Sequence, residues 1–139
     1  MNILKSSPVG IPERAFAALI DIIITFGSVF MIDIFIIDES IIVMAVVFSL
    51  FYSIILPVLW DGYTVGKRLI GIRISHVKGD KLTISTMLVR ELIGTFLYNI
   101  SVGVLTVISI YLVYKRDDKR SIHDLLASTY VTSNMPEQE

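Results

Sequence analysis

The sequence predicts an all-α membrane protein with two spanning helices, a third membrane-embedded helical region and a small cytoplasmic β-hairpin. Hydrophobic residues make up 54% of the 139 residues and charged residues only 18%, whereas soluble domains average about 45–50% apolar residues. The mean hydropathy is +0.74. The apolar residues fall in blocks almost free of charge, and two blocks are long enough to cross a hydrocarbon core of about 30 Å.

The first spanning helix is predicted over residues 15–37, after a short polar lead that contains proline and glycine. This apolar block is longer than the hydrophobic region of a signal peptide, which has roughly 7–15 residues. It also contains Asp21 and is followed by no small-residue cleavage motif. We therefore expect the block to be retained as a membrane helix.

The second spanning helix is predicted over residues 41–60, which contain no charged residue. Only residues 38–40 separate it from the first helix. Because so short a link leaves no room for a crossover, the two helices are expected to be antiparallel neighbours.

Residues 61–85 change character and are predicted to form a cytoplasmic segment. Ile70, Ile72 and Ile74 alternate with small or polar residues, which is the period of a β-strand. A turn at residues 78–80 and a second alternating run over residues 81–84 follow. The simplest interpretation is a β-hairpin at the membrane surface.

A third helical region is predicted over residues 86–114, with Ser85 as its cap and a charge-free part from residue 92 onward. Polar and small residues interrupt it at residues 99–103. The region either spans the membrane once or dips in and returns as a hairpin. The C-terminal segment, residues 115–139, carries a charge cluster, a short helix over 122–127 capped by Ser121, and an extended piece ending near residue 132. The whole chain is treated as one domain.

The distribution of basic residues predicts the orientation. The 12 lysines and arginines lie in the N-terminal lead, in residues 61–91 and in residues 115–120, while the link at 38–40 has none. The positive-inside rule places the N-terminus and residues 61–91 in the cytoplasm and the link outside. We favour the returning hairpin for the third region, because it keeps all basic residues on one side.

Asp21 is the first candidate functional residue, because a carboxylate two turns into an apolar helix is costly unless it is protonated, paired or exposed to water. Arg14 lies on nearly the same face, about 10 Å away along the axis. Ser49, Tyr52 and Ser53 form a polar stripe on the second helix that could face Asp21.

Two further groups of residues are candidates. His123 could titrate near pH 7, and Asp124 beside it could pair with a nearby arginine on a capped surface helix. Lys67, Arg68 and Arg73 are expected to contact anionic lipid headgroups. Two histidines and no cysteine make no usual zinc site, so we expect no metal, no cofactor and no catalytic residues.

Four motifs occur in an order that resembles the RDD family of small bacterial membrane proteins. They are Arg14 with Asp21 in the first helix, Gly62-Tyr63-Thr64-Val65-Gly66-Lys67-Arg68-Leu69-Ile70-Gly71-Ile72-Arg73-Ile74, Val89-Arg90-Glu91-Leu92, and Arg120-Ser121-Ile122-His123-Asp124-Leu125-Leu126-Ala127-Ser128-Thr129. By motif position, the arginine and two aspartates that name the family correspond to Arg14, Asp21 and Asp124. Ser128 departs from the family, in which glycine is common there. The resemblance implies a multi-pass protein of the bacterial inner or plasma membrane, with transport as the usual assignment.

Two functions follow as hypotheses. The first is transport of small ions coupled to protons, with Asp21 as the exchanging carboxyl group and a homo-oligomer enclosing the path. The second is a membrane scaffold or regulatory interaction module for another membrane protein, in which Arg14, Asp21 and Asp124 form a structural clasp. No nucleic-acid partner is expected, and the residues show no convergent catalytic set, so we expect no enzyme.

Overall fold

The protein is mostly helical and carries one small antiparallel sheet. A computed structural model describes residues 7–35, 41–101 and 103–133. The elements, in chain order, are α1 (Ile11–Phe35), α2 (Ile41–Leu59), α3 (Val65–Ile70), β1 (Arg73–His76), α4 (Ile84–Leu88), a π-helical turn (Val89–Ile93), α5 (Gly94–Ile100), α6 (Val104–Lys115), α7 (Ile122–Leu126) and β2 (Thr129–Thr132). The predicted link at 38–40 lies outside the described residues.

Within the described residues, α1 is the one helix long and apolar enough to cross a membrane, over Ile11–Met31. Only 11% of that window is buried inside the protein, so α1 is unlike the core helix of a soluble domain. The helix begins at Ile11, four residues before its predicted start. The predicted second spanning helix is not confirmed, because its apolar part, Val43–Leu59, belongs to the shorter class of 10–17 residues.

The segment after α2 forms a short capped helix. Thr64 is the N-cap of α3 and accepts a hydrogen bond from the backbone N–H of Lys67 at 3.3 Å. The helix ends at Gly71, whose φ of 77° is left-handed, a conformation that glycine adopts without steric cost. This helix turns the chain back so that Ile74 donates its backbone N–H to Gly62 at 2.9 Å.

The predicted β-hairpin is wrong in the partner of its first strand. Strand β1 pairs antiparallel with β2, near the end of the chain, with Ile74 opposite Val131. Residues 81–84 form no strand, because Thr83 caps α4 by accepting the backbone N–H of Thr86 at 3.2 Å. Thr83, rather than the predicted Ser85, therefore starts the third helical region.

The third region breaks where the sequence predicts an interruption. Helix α5 ends at Ser101, and α6 starts from Gly103, whose φ is 84°. Arg90 and Val113 line the same cavity, although 23 residues of continuous helix would separate them by about 35 Å. The chain therefore bends back on itself after α5 and does not form one continuous helix.

The core lies where the sheet meets the beginning of α1 and the C-terminal part of α2. Its buried hydrophobic residues are Val9, Ala17, Ile54, Ile72, Ile74, Met87 and Val131. The N-terminal lead joins the sheet, since the backbone N–H of Val9 donates to the carbonyl of Val131 at 2.9 Å. This packing brings both described ends of the chain and the segment after α2 to the same end of the molecule.

Candidate functional site

Asp124 is the centre of an ion-pair cluster that joins three distant parts of the sequence. Its side chain is fully buried, and its Oδ2 accepts a hydrogen bond from Nη1 of Arg14 at 2.6 Å. Its Oδ1 accepts from Nη1 of Arg90. We call Arg14, Arg90 and Asp124 the ion-pair cluster. Because Arg14 is 110 positions from Asp124, the cluster fastens α1 to the C-terminal segment.

Both arginines make further bonds that fix their geometry. Arg14 donates from Nη2 to the carbonyl of Lys119 at 2.6 Å and from Nε to that of Val9 at 3.2 Å. Arg90 donates from Nη1 to Oγ1 of Thr129 at 2.8 Å. A planar guanidinium with several fixed donors suits such a junction better than a lysine ammonium would.

Helix α7 holds the carboxylate through a capping box. The backbone N–H and the hydroxyl of Ser121 both donate to Oδ2 of Asp124, at 3.1 and 2.8 Å. Burial alone would raise the pKa of Asp124, but the charges of Arg90 and Arg14 outweigh burial and hold that pKa far below its usual range. Asp124 is therefore ionised at all physiological pH values.

His123 does not titrate near pH 7, which corrects the sequence-based expectation. Burial, aided by the positive charge of Arg90, lowers the pKa of His123 to about 3. Its Nε2 lies 3.0 Å from the hydroxyl of Ser121. The imidazole is therefore neutral and packs beside the ion-pair cluster.

Asp21 belongs to a second cluster and contacts neither arginine of the first. Its Oδ1 accepts hydrogen bonds from the Tyr52 hydroxyl at 2.6 Å and the Gly66 backbone N–H at 2.7 Å. Its Oδ2 accepts from the Thr64 hydroxyl at 2.5 Å, and the Lys67 ammonium is 4.0 Å away. The carboxylate thus anchors the first turn of α3 to α1. Arg14 is not its partner, consistent with their two-turn separation.

Only one residue of the predicted polar stripe faces Asp21. Tyr52 does so, and its hydroxyl also accepts the backbone N–H of Val65 at 3.1 Å. Ser53 instead donates to the carbonyl of Leu50 in its own helix at 3.3 Å, and Ser49 is exposed. A serine hydroxyl can satisfy itself on the preceding turn, whereas the longer tyrosine reaches the neighbouring helix.

Gly66 permits the close approach of α3 to α1. A Cβ atom at this position would lie 2.2 Å from the carbonyl oxygen of Ala17 and 2.8 Å from Oδ1 of Asp21. Any other residue would push the two helices apart. The glycine therefore matters for contact with α1 rather than for a left-handed turn.

A cavity of about 450 Å³ lies between the two clusters. Its charged lining consists of Arg14, Lys67, Arg90 and Glu91, and His123 also borders it. Its volume is in the range of small-molecule sites, which are roughly 300–1,000 Å³. The predicted candidates Arg14, Lys67 and His123 thus meet at one cavity, with Asp21 and Asp124 behind its wall.

The three residues expected to contact lipid headgroups have different surroundings. Lys67 lines the cavity, and burial lowers its pKa. Arg73 is buried and donates to the carbonyl of Asp61 at 3.3 Å, which does not suit a headgroup contact. Arg68 is exposed, with its guanidinium 5.2 Å from the ring of Trp60 and 5.8 Å from that of Tyr63. Arg68 alone keeps the predicted exposure.

Several residues of both clusters are not predicted by the sequence patterns. Arg90 lies within the motif Val89-Arg90-Glu91-Leu92 but is not predicted as a site residue, although an arginine in an otherwise apolar region is a signal for a partner. Thr64 and Thr129 lie within the quoted motifs, but nothing in the pattern names their hydrogen-bond partners. Among residues 7–35, 41–101 and 103–133, no three His, Cys, Asp or Glu side chains are grouped to hold a metal ion.

Comparisons with known proteins agree with the motifs. Residues 8–128 match the sequence profile of the RDD family. The chain is 40% identical over 143 aligned positions to the uncharacterized protein YckC of Bacillus subtilis strain 168, covering all of this chain and 92% of that relative. No solved structure matches the chain.

Proposed function

The chain belongs to the RDD family, and from that premise we propose that it is a multi-pass membrane interaction module that scaffolds or regulates another membrane protein. The observation that carries this proposal is the ion-pair cluster. Asp124 is fully buried between Arg14 and Arg90, so two of the three residues that name the family are bonded to each other. Such bonds stabilise the fold, and they occupy both side chains, so that neither is available to bind a transported ion.

An exposed stripe on α1 supports a helical partner. Large apolar residues recur at alternating spacings of three and four, and each is more than half exposed. They are Phe16, Leu19, Ile23, Phe26 and Phe30. This spacing is the one by which helices pair along a continuous seam. The stripe offers another membrane protein a contact surface that the module itself does not cover.

Site-specific photocrosslinking in native membranes tests the proposal. A photoreactive residue replacing Phe26 lies on the stripe, where the side chain is 71% exposed. We expect one discrete crosslinked product containing a different membrane protein. Reciprocal capture with that protein should recover this chain.

The matched control replaces Met31, which is also exposed on α1 but points about 140° away around the helix. Met31 should give lipid adducts without the discrete protein product. If Phe26 also yields only lipid adducts, the interaction module is wrong. A product containing only a second copy of the chain would favour transport by a homo-oligomer.

Ion transport is the second candidate, and the cavity is the observation that favours it. Glu91 lines the cavity with Lys67, and its side chain is 30% exposed. An accessible carboxylate beside an amine can exchange a proton for a cation. Asp21, the residue first expected to do so, has both oxygens occupied by the hydrogen bonds described above.

Proteoliposomes containing a pH-sensitive dye test transport directly. If the protein exchanges cations for protons, adding sodium or potassium should change the internal pH, and Glu91→Gln should abolish the change. Glu13→Gln, at an exposed position on α1 outside the cavity, is the control. The absence of flux in the wild-type protein would exclude transport of these ions.

A further inference from the structure

The walls of the cavity are formed by matching stripes of two helices. Helix α1 contributes Ile11, Arg14, Ala15 and Ala18, and α6 contributes Thr106, Ser109, Ile110 and Val113. Each set follows the i, i+3, i+4, i+7 spacing of a single helical face. The two faces thus look toward each other across open space.

The inner end of the cavity holds hydrogen-bond donors that the protein does not fully use. Nε of Arg90 is buried and has no hydrogen-bond partner among the described residues, although it lies 3.7 Å from a carboxylate oxygen of Glu91. The Lys67 ammonium has three donors. In the described part of the chain, its polar contacts are Thr64 Oγ1 at 3.5 Å and Asp21 at 4.0 Å. A buried guanidinium donor without a partner is costly, so these groups suit an oxygen-rich ligand.

The charges around the cavity balance, which restricts the ligand. Three cations, Arg14, Lys67 and Arg90, face the three carboxylates of Asp21, Glu91 and Asp124. A purely anionic ligand would leave excess negative charge near Glu91. A ligand with one anionic and one cationic group adds no net charge and pairs with both the spare donors and Glu91.

The outer end of the cavity is apolar. Ala15, Ala18 and Ile110 line it and are exposed, and they continue into the apolar outer faces of α1 and α6. In a membrane these faces meet acyl chains. The cavity therefore has a charged interior and a mouth open toward lipid, which is the polarity of a phospholipid inserted headgroup first.

We propose that this cavity binds the headgroup of a zwitterionic phospholipid with a primary ammonium, such as phosphatidylethanolamine. The phosphate accepts hydrogen bonds from Lys67 and from Nε of Arg90. The ammonium faces the carboxylate of Glu91, and the acyl chains leave between α1 and α6. This site is independent of the partner proposed above, because the exposed stripe on α1 lies outside the cavity.

Native mass spectrometry of the full chain in detergent tests this assignment. The protein is titrated with phosphatidylethanolamine, phosphatidylcholine and phosphatidylglycerol of identical acyl chains. We expect phosphatidylethanolamine to bind about tenfold more tightly than the other two. A quaternary ammonium cannot donate to Glu91, glycerol carries no cation, and one charge-assisted hydrogen bond accounts for a difference of that size. Equal binding of all three lipids, or preference for phosphatidylglycerol, would overturn the proposal.

Two variants separate the two ends of the headgroup. Glu91→Gln should remove the preference for phosphatidylethanolamine over phosphatidylcholine. Lys67→Met should weaken the binding of all three lipids about tenfold, because it removes a hydrogen-bond donor to the phosphate. Glu13→Gln, outside the cavity, should leave the affinity for each of the three lipids unchanged. If Lys67→Met does not fold, the Glu91→Gln comparison still decides, and an unchanged lipid preference there contradicts the proposal.

Free glycerophosphoethanolamine, a phosphodiester like the lipid headgroup, distinguishes the lipid from a soluble ligand of the same chemistry. Without acyl chains it gains no burial against the apolar mouth. It should therefore fail to displace the lipid at equal concentration. Equal competition would show that the cavity serves a water-soluble solute and that the lipid assignment is wrong.

Discussion

The ion-pair cluster concentrates much of the tertiary structure on one residue. Asp124 bonds to Arg14 of α1, to Arg90 of the π-helical turn and to its own N-cap, Ser121. Removing one member of a buried ionic group lowers the free energy of unfolding by far more than the whole group contributes to it, because the remaining charges lose their counter-charge. The cluster should therefore control whether the chain folds at all.

Asp124→Asn preserves the shape of the side chain but leaves two arginines facing a neutral amide. We expect it to destabilise the protein by about 3–5 kcal/mol and to lower its abundance in the membrane. The control is Asp118→Asn, which breaks an exposed pair with Arg116 at 2.8 Å and should cost less than about 1 kcal/mol. Quantitative immunoblotting and thermal unfolding in detergent measure both effects. Equal abundance of the two variants would contradict the structural role of the cluster.

His123 gives the protein a predictable response to mild acid. Since its folded pKa is lowered to about 3 and an unfolded histidine titrates near 6.5, only the unfolded chain takes up this proton between those values. Stability should fall as the pH drops below 6.5, by up to about 2 kcal/mol at pH 5. Asp124 does not contribute to the change in stability between pH 6.5 and pH 5, because its stabilising contribution is lost only below about pH 4.

Melting temperatures at pH 7.5 and pH 5.0 test this expectation. The wild-type protein should melt lower at pH 5.0, and His123→Gln, which cannot titrate, should show a smaller difference. Gln also keeps a polar atom able to reach Ser121. A difference in His123→Gln as large as in the wild type would assign the pH response to other groups.

At the scale of elements, the stability of α3 comes from its contact with α1, because a helix of only six residues is unstable alone. Gly66 allows that contact. Gly66→Ala should destabilise the protein by about 3 kcal/mol, the upper end for overpacking, because the new Cβ meets the backbone oxygen of Ala17. Gly27→Ala is the matched control within α1, where a Cβ meets nothing within 4 Å. It should be neutral or stabilising by up to about 1 kcal/mol. Comparable melting temperatures for the two variants would contradict the close helix contact.

The pairing of β1 with β2 can be tested by a disulfide, since the chain has no cysteine of its own. The backbone N–H of Ile74 donates to Gly62 and the carbonyl of Val131 accepts from Val9. Ile74 and Val131 therefore face each other as a non-hydrogen-bonded pair, with Cα atoms about 4.5 Å apart, which a disulfide can span. Ile74→Cys with Val131→Cys should crosslink on oxidation, seen as a mobility shift in non-reducing gels. Ile74→Cys with Ile84→Cys, the pair that a hairpin with its turn at residues 78–80 would place opposite each other, should not. The reverse result would restore the hairpin.

The limits of sequence-based prediction are clear at this scale. The alternation of Ile72 and Ile74 correctly indicates a strand, because side-chain period is a local property. Its partner is more than 50 positions away, and no local pattern specifies a long-range pairing. The polar residue types of both clusters stand out in an apolar sequence, but the joining of Arg14 to Asp124 depends on the return of the third region.

At the scale of the whole molecule, the structure fastens three segments together at one end. Pro8 forms a bridge with Thr132, Val9 bonds to Val131, and Gly62 bonds to Ile74 of the same sheet. These contacts hold the N-terminal lead, the segment after α2 and the C-terminal strand together at that end. The positive-inside rule predicts that this end faces the cytoplasm.

Cysteine accessibility in intact cells checks this topology, because each introduced cysteine is the only one in the chain. Lys78→Cys and Ser133→Cys occupy exposed positions at the fastened end, so a membrane-impermeant maleimide should label them only after lysis. Glu39→Cys, in the link predicted to lie outside, should be labelled without lysis. If Ser133→Cys is labelled in intact cells while Lys78→Cys is protected, the third region crosses the membrane once. In that case, Arg14 and Asp124 could not meet.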